Sequence, residues 1–183
     1  MATHLLKGSE RQPIKGARSL GKADPAERLE VTVLLRPRAA LHDHIKQIHR
    51  TAGRPVHIKR EDFAQKFGAE QGDIEEVKKF ASSHGLAVVQ EDAARRSVIL
   101  AGTVAQFNHA FGVELQRFEH EGGSYRGRTG PIHLPDALHG KVDGVFGLDD
   151  RPQARPHFRS RLQGNVRWRA TQFLHADPSR VAL

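Results

Sequence analysis

The chain has 183 residues, and its 29 Lys and Arg against 21 Asp and Glu give a formal net charge of +8. Hydrophobic residues make up 38%, which is enough for the core of one domain and too many for a wholly disordered chain. Because Cys is absent, disulfides, Cys-ligated metal sites and a Cys nucleophile are excluded. Residues 1–22 lack the apolar segment of a signal peptide, and no apolar run is long enough for a membrane span, so we expect a soluble chain.

The N-terminal region, residues 1–27, has no sustained hydrophobic period, which predicts an extended arm. Residues 28–35 then alternate apolar and polar side chains until Arg36-Pro37, which predicts a strand. Residues 38–50 and 60–67 have apolar residues at helical spacing and predict two short helices.

A further helix is predicted after residue 70. Asp73 and Glu76 have the spacing of a capping box, and Gly85 stands where a left-handed C-cap belongs. The apolar stripe between them consists of Ile74, Val77 and Phe80.

The second half of the chain predicts two hairpins and a helix between them. Residues 86–89 and 97–101 form the first hairpin, Thr103 caps a helix that Gly112 ends, and residues 113–118 and 124–128 flank a glycine-rich turn. A helical turn at 135–139 and a last strand at 142–148 follow.

This order of elements predicts an α+β chain with a ferredoxin-like open sandwich, in which an antiparallel sheet carries its helices on one face. The other face is either solvated or available to a partner. The composition changes after Asp150, so we place a body at residues 28–150 and a linker or tail at 151–183.

Candidate catalytic and metal sites are weak. Imidazole and carboxylate groups that could bind a metal ion occur at His42, Asp43, His44, His49 and His57, but no two of these histidines have the i, i+4 spacing of a helical zinc site. Solvated or pairing histidines are therefore the preferred interpretation. The cluster Ser82-Ser83-His84 at a helix end is interpreted as surface, and no catalytic constellation is predicted.

The tail is strongly basic. Residues 151–169 contain six Arg and no acidic residue. Arg interleaved with Phe158 and Trp168 is consistent with single-stranded nucleic-acid binding, with a cationic linker that has no specific partner, or with an extended peptide in the cleft of a protein. Composition does not separate these three alternatives.

An ordered set of motifs resembles the activation domain of the sedolisin and kumamolisin family of serine-carboxyl peptidases. These motifs are GSER at 8–11, VTVLLR at 31–36, VKKFA at 77–81, HGL at 84–86, FNHAFGVEL at 107–115, GSYR at 123–126, VFGLD at 145–149, and RP at 151–152 with RPHF at 155–158.

The resemblance implies a prosegment that assists folding of a subtilisin-like catalytic domain, inhibits it and is cleaved off at acid pH. It implies the same ferredoxin-like fold, with the sheet packed on the catalytic domain. The family's catalytic residues and its calcium site belong to that domain. We therefore expect this chain to be no enzyme by itself, to hold no cofactor and to contact no membrane. The resemblance also implies a secreted precursor, although residues 1–22 lack the apolar segment of a signal peptide.

The tail takes the place of the family's linker, which runs through the active-site cleft. The expected cleft residues are Arg155, Phe158, Arg159, Arg161, Trp168 and Arg169. The expected processing region includes Arg161, Gly164, Arg169 and Ala170, because residues 177–182 are similar to the start of the mature enzyme. The alternative function is a small basic nucleic-acid-binding protein.

Overall fold

The computed structural model of the chain describes residues 3–50 and 58–152. Contacts divide the chain into units 1–152 and 153–183, of which the second lies outside the described residues. The described strands are β1 (Thr3–Leu5), β2 (Arg18–Lys22), β3 (Arg28–Leu35), β4 (Ala87–Asp92), β5 (Ser97–Thr103), β6 (Gln116–His120), β7 (Gly123–Gly127), β8 (His133–Pro135) and β9 (Val142–Phe146). The helices are α1 (Leu41–Arg50), α2 (Arg60–Phe67), α3 (Gln71–Ser83) and α4 (Val104–Phe111), with a 3-10 turn at Asp136–Leu138.

The central sheet has the strand order β4-β5-β3-β9, and all of its pairs are antiparallel. Helix α3 joins β3 to β4, and α4 follows β5 on the way to β9. This connectivity is the split β-α-β arrangement. The α+β, ferredoxin-like prediction is therefore confirmed.

The core lies between one face of this sheet and helices α3 and α4. Val31 and Val33 of β3 pair with Leu100 and Val98 of β5, and all four are at most 1% exposed. The alternation of apolar and polar residues in β3 therefore reflects burial on one side, because every second side chain points into the core. The helices contribute Ile74, Val77, Phe80, Phe107 and Phe111 to the same cluster.

Helix α4 has the predicted ends. The Thr103 hydroxyl accepts from the backbone N–H of Gln106, whose side chain in turn accepts from the Thr103 N–H, so the two form a capping box. Gly112 ends the helix with φ of +58°, where a β-carbon would stand 3.2 Å from His133. The following strand begins at Gln116 and not at Val113, because residues 113 and 115 use their N–H groups to bond Asn108.

The start of α3 differs from the prediction. The helix begins at Gln71, and its N-cap residue Glu70 makes no capping side-chain bond. Asp73 lies inside the first turn, where its buried carboxylate accepts from Arg36 Nε at 3.0 Å. The predicted capping box of Asp73 and Glu76 is wrong, because an arginine at the end of β3 takes the carboxylate.

Two further sheets join the N-terminal region to the body. Strand β1 pairs with β8, and β2 pairs with β6 in the three-stranded sheet β2-β6-β7. In the part of the chain that the structure describes, no helix is both long and apolar enough to cross a membrane.

Candidate docking surface

The outer face of the four-stranded sheet, opposite α3 and α4, is the candidate docking surface. Cross-strand pairs place Thr32 beside Ile99 and Phe146, and Leu34 beside Gly144. Thr32, Leu34 and Ile99 are only partly buried, and Phe146 is 55% exposed. The face therefore presents apolar side chains at its centre and at the β9 edge.

The opposite edge of the sheet is also apolar. In β4, Val89 is 53% exposed and Val88 37% exposed, at a bulge between Val88 and Gln90. An edge bulge interrupts pairing with a further strand. The bulge therefore makes this edge less suited to pairing with a further strand.

A buried ion pair fixes the chain where it leaves the sheet. Arg126 of β7 is 7% exposed, and its guanidinium donates to Glu27 Oε1 at 2.5 Å. The same group donates to the carbonyls of Gly147 and Leu148, which follow β9. The backbone N–H of Arg126 donates to Asp150 Oδ1 at 2.5 Å. The last residues of the body are thus held against β7.

The next residues are held by a second pair. Arg151 donates to both carboxylate oxygens of Asp149 at 2.5–2.8 Å and to the carbonyl of Gln12 at 2.7 Å. Its guanidinium lies 5.3 Å from the ring of Tyr125, whose hydroxyl accepts from the N–H of Ile14. The hydrogen bond with Asp149 raises the pKa of Arg151. Arg151, the first residue of the predicted linker, is therefore held against the body.

Every predicted linker and processing residue lies outside the described residues. These are Arg155, Phe158, Arg159, Arg161, Gly164, Trp168, Arg169 and Ala170. Their assignment to a protease cleft stays a prediction.

The histidine-rich stretch from His42 to His57 lies partly within the described residues. His42, Asp43 and His44 are on α1, where the His44 ring lies 5.1 Å from that of Phe67, whereas His57 is outside the described residues. Among the described residues, no three His, Cys, Asp or Glu are grouped so that they could hold a metal ion.

The Ser-Ser-His cluster has local partners. Ser83 Oγ donates to the carbonyl of Phe80 at 2.8 Å and lies 3.0 Å from His84 Nδ1. The His84 ring packs on Phe80, 4.5 Å between centroids. These contacts close the C-terminal end of α3.

Sequence reasoning missed the role of Arg126, Glu27 and Asp150. Arg126 is 99 positions from Glu27 in the chain, so no local spacing links them. The alternation in Tyr125-Arg126-Gly127-Arg128 predicts arginines on the solvent side of a strand, whereas all four residues are buried in the structure. Charged residues are almost never fully buried unless they are paired, so this burial, and not the sequence, indicates buried partners.

Comparisons with known proteins identify the family of the chain. A family model described as the pro-kumamolisin activation domain matches residues 15–151. Kumamolisin of Bacillus sp. strain MN-32 is 38% identical over 169 residues, which cover 91% of this chain and 31% of that protein. Tripeptidyl-peptidase sed5 of Aspergillus fumigatus is 26% identical over 165 residues, which cover 80% of this chain and 28% of that protein.

The chain therefore spans less than a third of the length of these relatives. The matched part is the activation domain, a propeptide region without catalytic function. The family match extends over most of the described body, from the residues that precede β2 to Arg151 of the second ion pair. The chain belongs to the pro-kumamolisin activation domain family.

Proposed function

We propose that the chain is the N-terminal prosegment of a sedolisin-like serine-carboxyl peptidase. In this role it assists folding of a subtilisin-like catalytic domain, inhibits it, and is cleaved and released at acid pH. The observation that carries the proposal is the family match over residues 15–151, together with an outer sheet face that exposes apolar side chains.

The outer face supports docking by apolar burial. Each buried Å² of apolar surface contributes roughly 25 cal/mol, and a stable interface covers about 800 Å² on each partner. The exposed ring of Phe146 suits the β9 side of such an interface, and the exposed methyl groups of Val89 suit its β4 edge. Loss of these contacts would weaken inhibition without unfolding the prosegment.

The charge distribution supports both inhibition and acid release. Six Arg between residues 151 and 169 favour an acidic cleft, and electrostatic attraction increases the rate of association. On acidification the partner's carboxylates lose charge, while the 12 His of this chain can gain charge. Attraction between the two therefore falls as the pH is lowered through the carboxylate range.

The test uses the 183-residue chain and a partner peptidase. That peptidase is the catalytic domain encoded after residue 183, or mature kumamolisin of Bacillus sp. if the gene ends there. We expect the chain, in excess at near-neutral pH, to inhibit peptide hydrolysis and to bind more weakly on acidification. A chain that neither inhibits the peptidase nor binds it more weakly on acidification would contradict the proposal.

Two observations separate the prosegment from the alternatives, which are an inhibitor of a separate peptidase and a nucleic-acid-binding protein. A gene that ends at residue 183 would indicate an inhibitor that acts on a separate peptidase. A gel shift at low salt tests nucleic-acid binding, whose affinity would fall steeply with salt and vanish on removal of residues 151–169. Strong, salt-dependent binding without inhibition would favour the nucleic-acid alternative.

A further inference from the structure

Arg128 is a buried cation that makes no ion pair with the residues that the structure describes. The residue is 4% exposed. Its Nη2 donates to the carbonyl of Ser9 at 2.5 Å and its Nη1 to the carbonyl of Gly130. The remaining nitrogen, Nε, is buried without an acceptor among the described residues. A buried charge is costly without a counter-charge, so the surroundings of Arg128 favour an added anion.

Arg126 provides a matched comparison two positions earlier. It is 7% exposed, which is nearly the same burial. Unlike Arg128, it has the carboxylate of Glu27 at 2.5 Å and that of Asp150 at 3.6 Å. The two arginines are therefore buried to nearly the same extent, but among the described residues only Arg126 has a carboxylate as counter-charge.

A pocket of about 80 Å³ opens beside Arg128. Its lining includes Lys7 and Arg11 as further cations and one carboxylate, that of Asp143. Asp143 is already paired with Arg96 at 3.3 Å. Within the described ranges, Lys7 and Arg11 make no ion pair, so the pocket carries an excess of positive charge.

The electrostatic effect on Arg128 is consistent with this excess. Burial lowers its pKa, and the positive charge of Arg11 lowers it further. Asp149 and Glu10 act in the opposite direction but form no ion pair with it. An anion in the pocket would favour the charged form of Arg128.

The wall of the pocket is held in place by hydrogen bonds. Ser9 Oγ donates to the carbonyl of Leu6 at 2.6 Å and accepts from the N–H of Ile132 at 2.9 Å. The backbones of Arg11 and Gly130 pair at 2.9 and 3.2 Å. The cations are therefore carried on a fixed segment, which reduces the entropy lost on binding.

The size and position of the pocket limit its occupant. A cavity of about 150 Å³ holds benzene, so a pocket of this smaller volume suits a group such as a carboxylate. Phe146, which is 55% exposed on the outer face, also lines the pocket. A protein that covers the outer face therefore reaches the pocket as well.

We propose that the pocket of Lys7, Arg11 and Arg128 is a carboxylate-binding site that receives an Asp or Glu side chain of the catalytic domain. This inference rests on the proposed function for the source of the carboxylate. The pocket chemistry alone would also suit a free carboxylate such as acetate, so the experiment has an arm for each source.

The first arm measures binding of the 183-residue chain to the partner peptidase. Arg128 also holds two carbonyls, so the test variant is Lys7→Ala with Arg11→Ala, at two exposed side chains. The matched control is Lys46→Ala with Arg60→Ala, which removes the same charge from α1 and α2.

We expect the pocket variant to bind at least tenfold more weakly, with most of the change in the dissociation rate. The control variant should stay within twofold of the unmodified chain. Loss of a contact in a desolvated pocket raises the dissociation rate, whereas loss of long-range charge attraction lowers the association rate. Equal effects of the two variants would overturn the proposal.

The second arm titrates the chain with sodium acetate against sodium chloride at equal ionic strength, followed by amide NMR. We expect saturable shifts at Gly8 and Gly130 that disappear in the pocket variant. Acetate binding with unchanged peptidase binding would mean a free-anion site and overturn the assigned source. No acetate shift and no loss of affinity would overturn the site itself. If the unmodified chain fails to bind the peptidase, the proposed function fails, and the acetate arm still decides the pocket.

Discussion

The two faces of the four-stranded sheet are built from the same strands, yet they differ in what covers them. On the inner face, Leu100 is fully buried beneath the helices. On the outer face, its neighbour Ile99 is only partly buried, and Phe146 is 55% exposed. Alternation along one strand therefore serves two purposes, because one set of side chains specifies the fold and the other is available to a partner.

The largest expected effect comes from breaking the inner face. Leu100→Ala should lower the free energy of unfolding by about 2–5 kcal/mol, because it leaves a cavity in a fully buried position. Ile99→Ala, one residue away on the outer face, should cost about 1 kcal/mol or less. Urea unfolding of both variants checks this, and equal losses would contradict the difference between the faces.

Buried and exposed ion pairs should differ in the same way as buried and exposed side chains of the sheet. Glu27→Gln should cost about 2–4 kcal/mol of stability, because it leaves Arg126 without its nearest counter-charge. Glu119→Gln breaks an exposed pair with Arg18 and should cost about 1 kcal/mol or less. Thermal or urea unfolding measures both, and a Glu27 variant as stable as the Glu119 variant would refute a structural role for the buried pair.

The outer face is tested by separating stability from binding. Phe146→Ser should change stability by about 0.5 kcal/mol or less but weaken inhibition of the partner peptidase at least tenfold, or about 1.4 kcal/mol. Leu20→Ser is the control, because Leu20 is 50% exposed on β2, away from this sheet. If both variants inhibit like the unmodified chain, the outer face is not the docking surface.

The smallest expected effect concerns acid stability. Hydrogen bonds from Lys78 and Lys79 lower the pKa values of Glu75 and Glu76 on α3, below the ordinary value of 4.5. These pairs therefore stabilise the fold above pH 4.5, and the contribution is lost as the pH falls through the lowered values.

Urea midpoints between pH 7 and pH 3 measure this effect. The variant Glu75→Gln with Glu76→Gln should show a shallower loss of stability with acid than the unmodified chain, although the difference is small because both carboxylates are partly open to solvent. An unchanged pH profile would contradict a role for these carboxylates.

Local patterns predicted the elements that depend on local physics. Strand β3 was predicted at its observed bounds because its alternation reflects burial on one side. Helix α4 was predicted because both of its ends are set by nearby residues, Thr103 and Gly112. Such features require no knowledge of distant residues.

Features that depend on distant partners were not predictable. Asp73 resembles a cap in the sequence, but Arg36 reaches it from the end of β3. Strands β1 and β2 are short and largely exposed, so their pairing with β8 and β6 leaves no hydrophobic period. The difference between Arg126 and Arg128 likewise depends on Glu27, far away in the chain.

The central position of β3 has a consequence for synthesis on the ribosome. Val33 pairs with Val98 on one side, and Thr32 pairs with Phe146 on the other. At about 5–20 residues per second, translation needs on the order of ten seconds to proceed from β3 to β9. During that interval β3 lacks at least one of its neighbouring strands, and its apolar side chains are open to aggregation. The body that is proposed to assist the folding of another domain therefore depends itself on strands that are synthesised late.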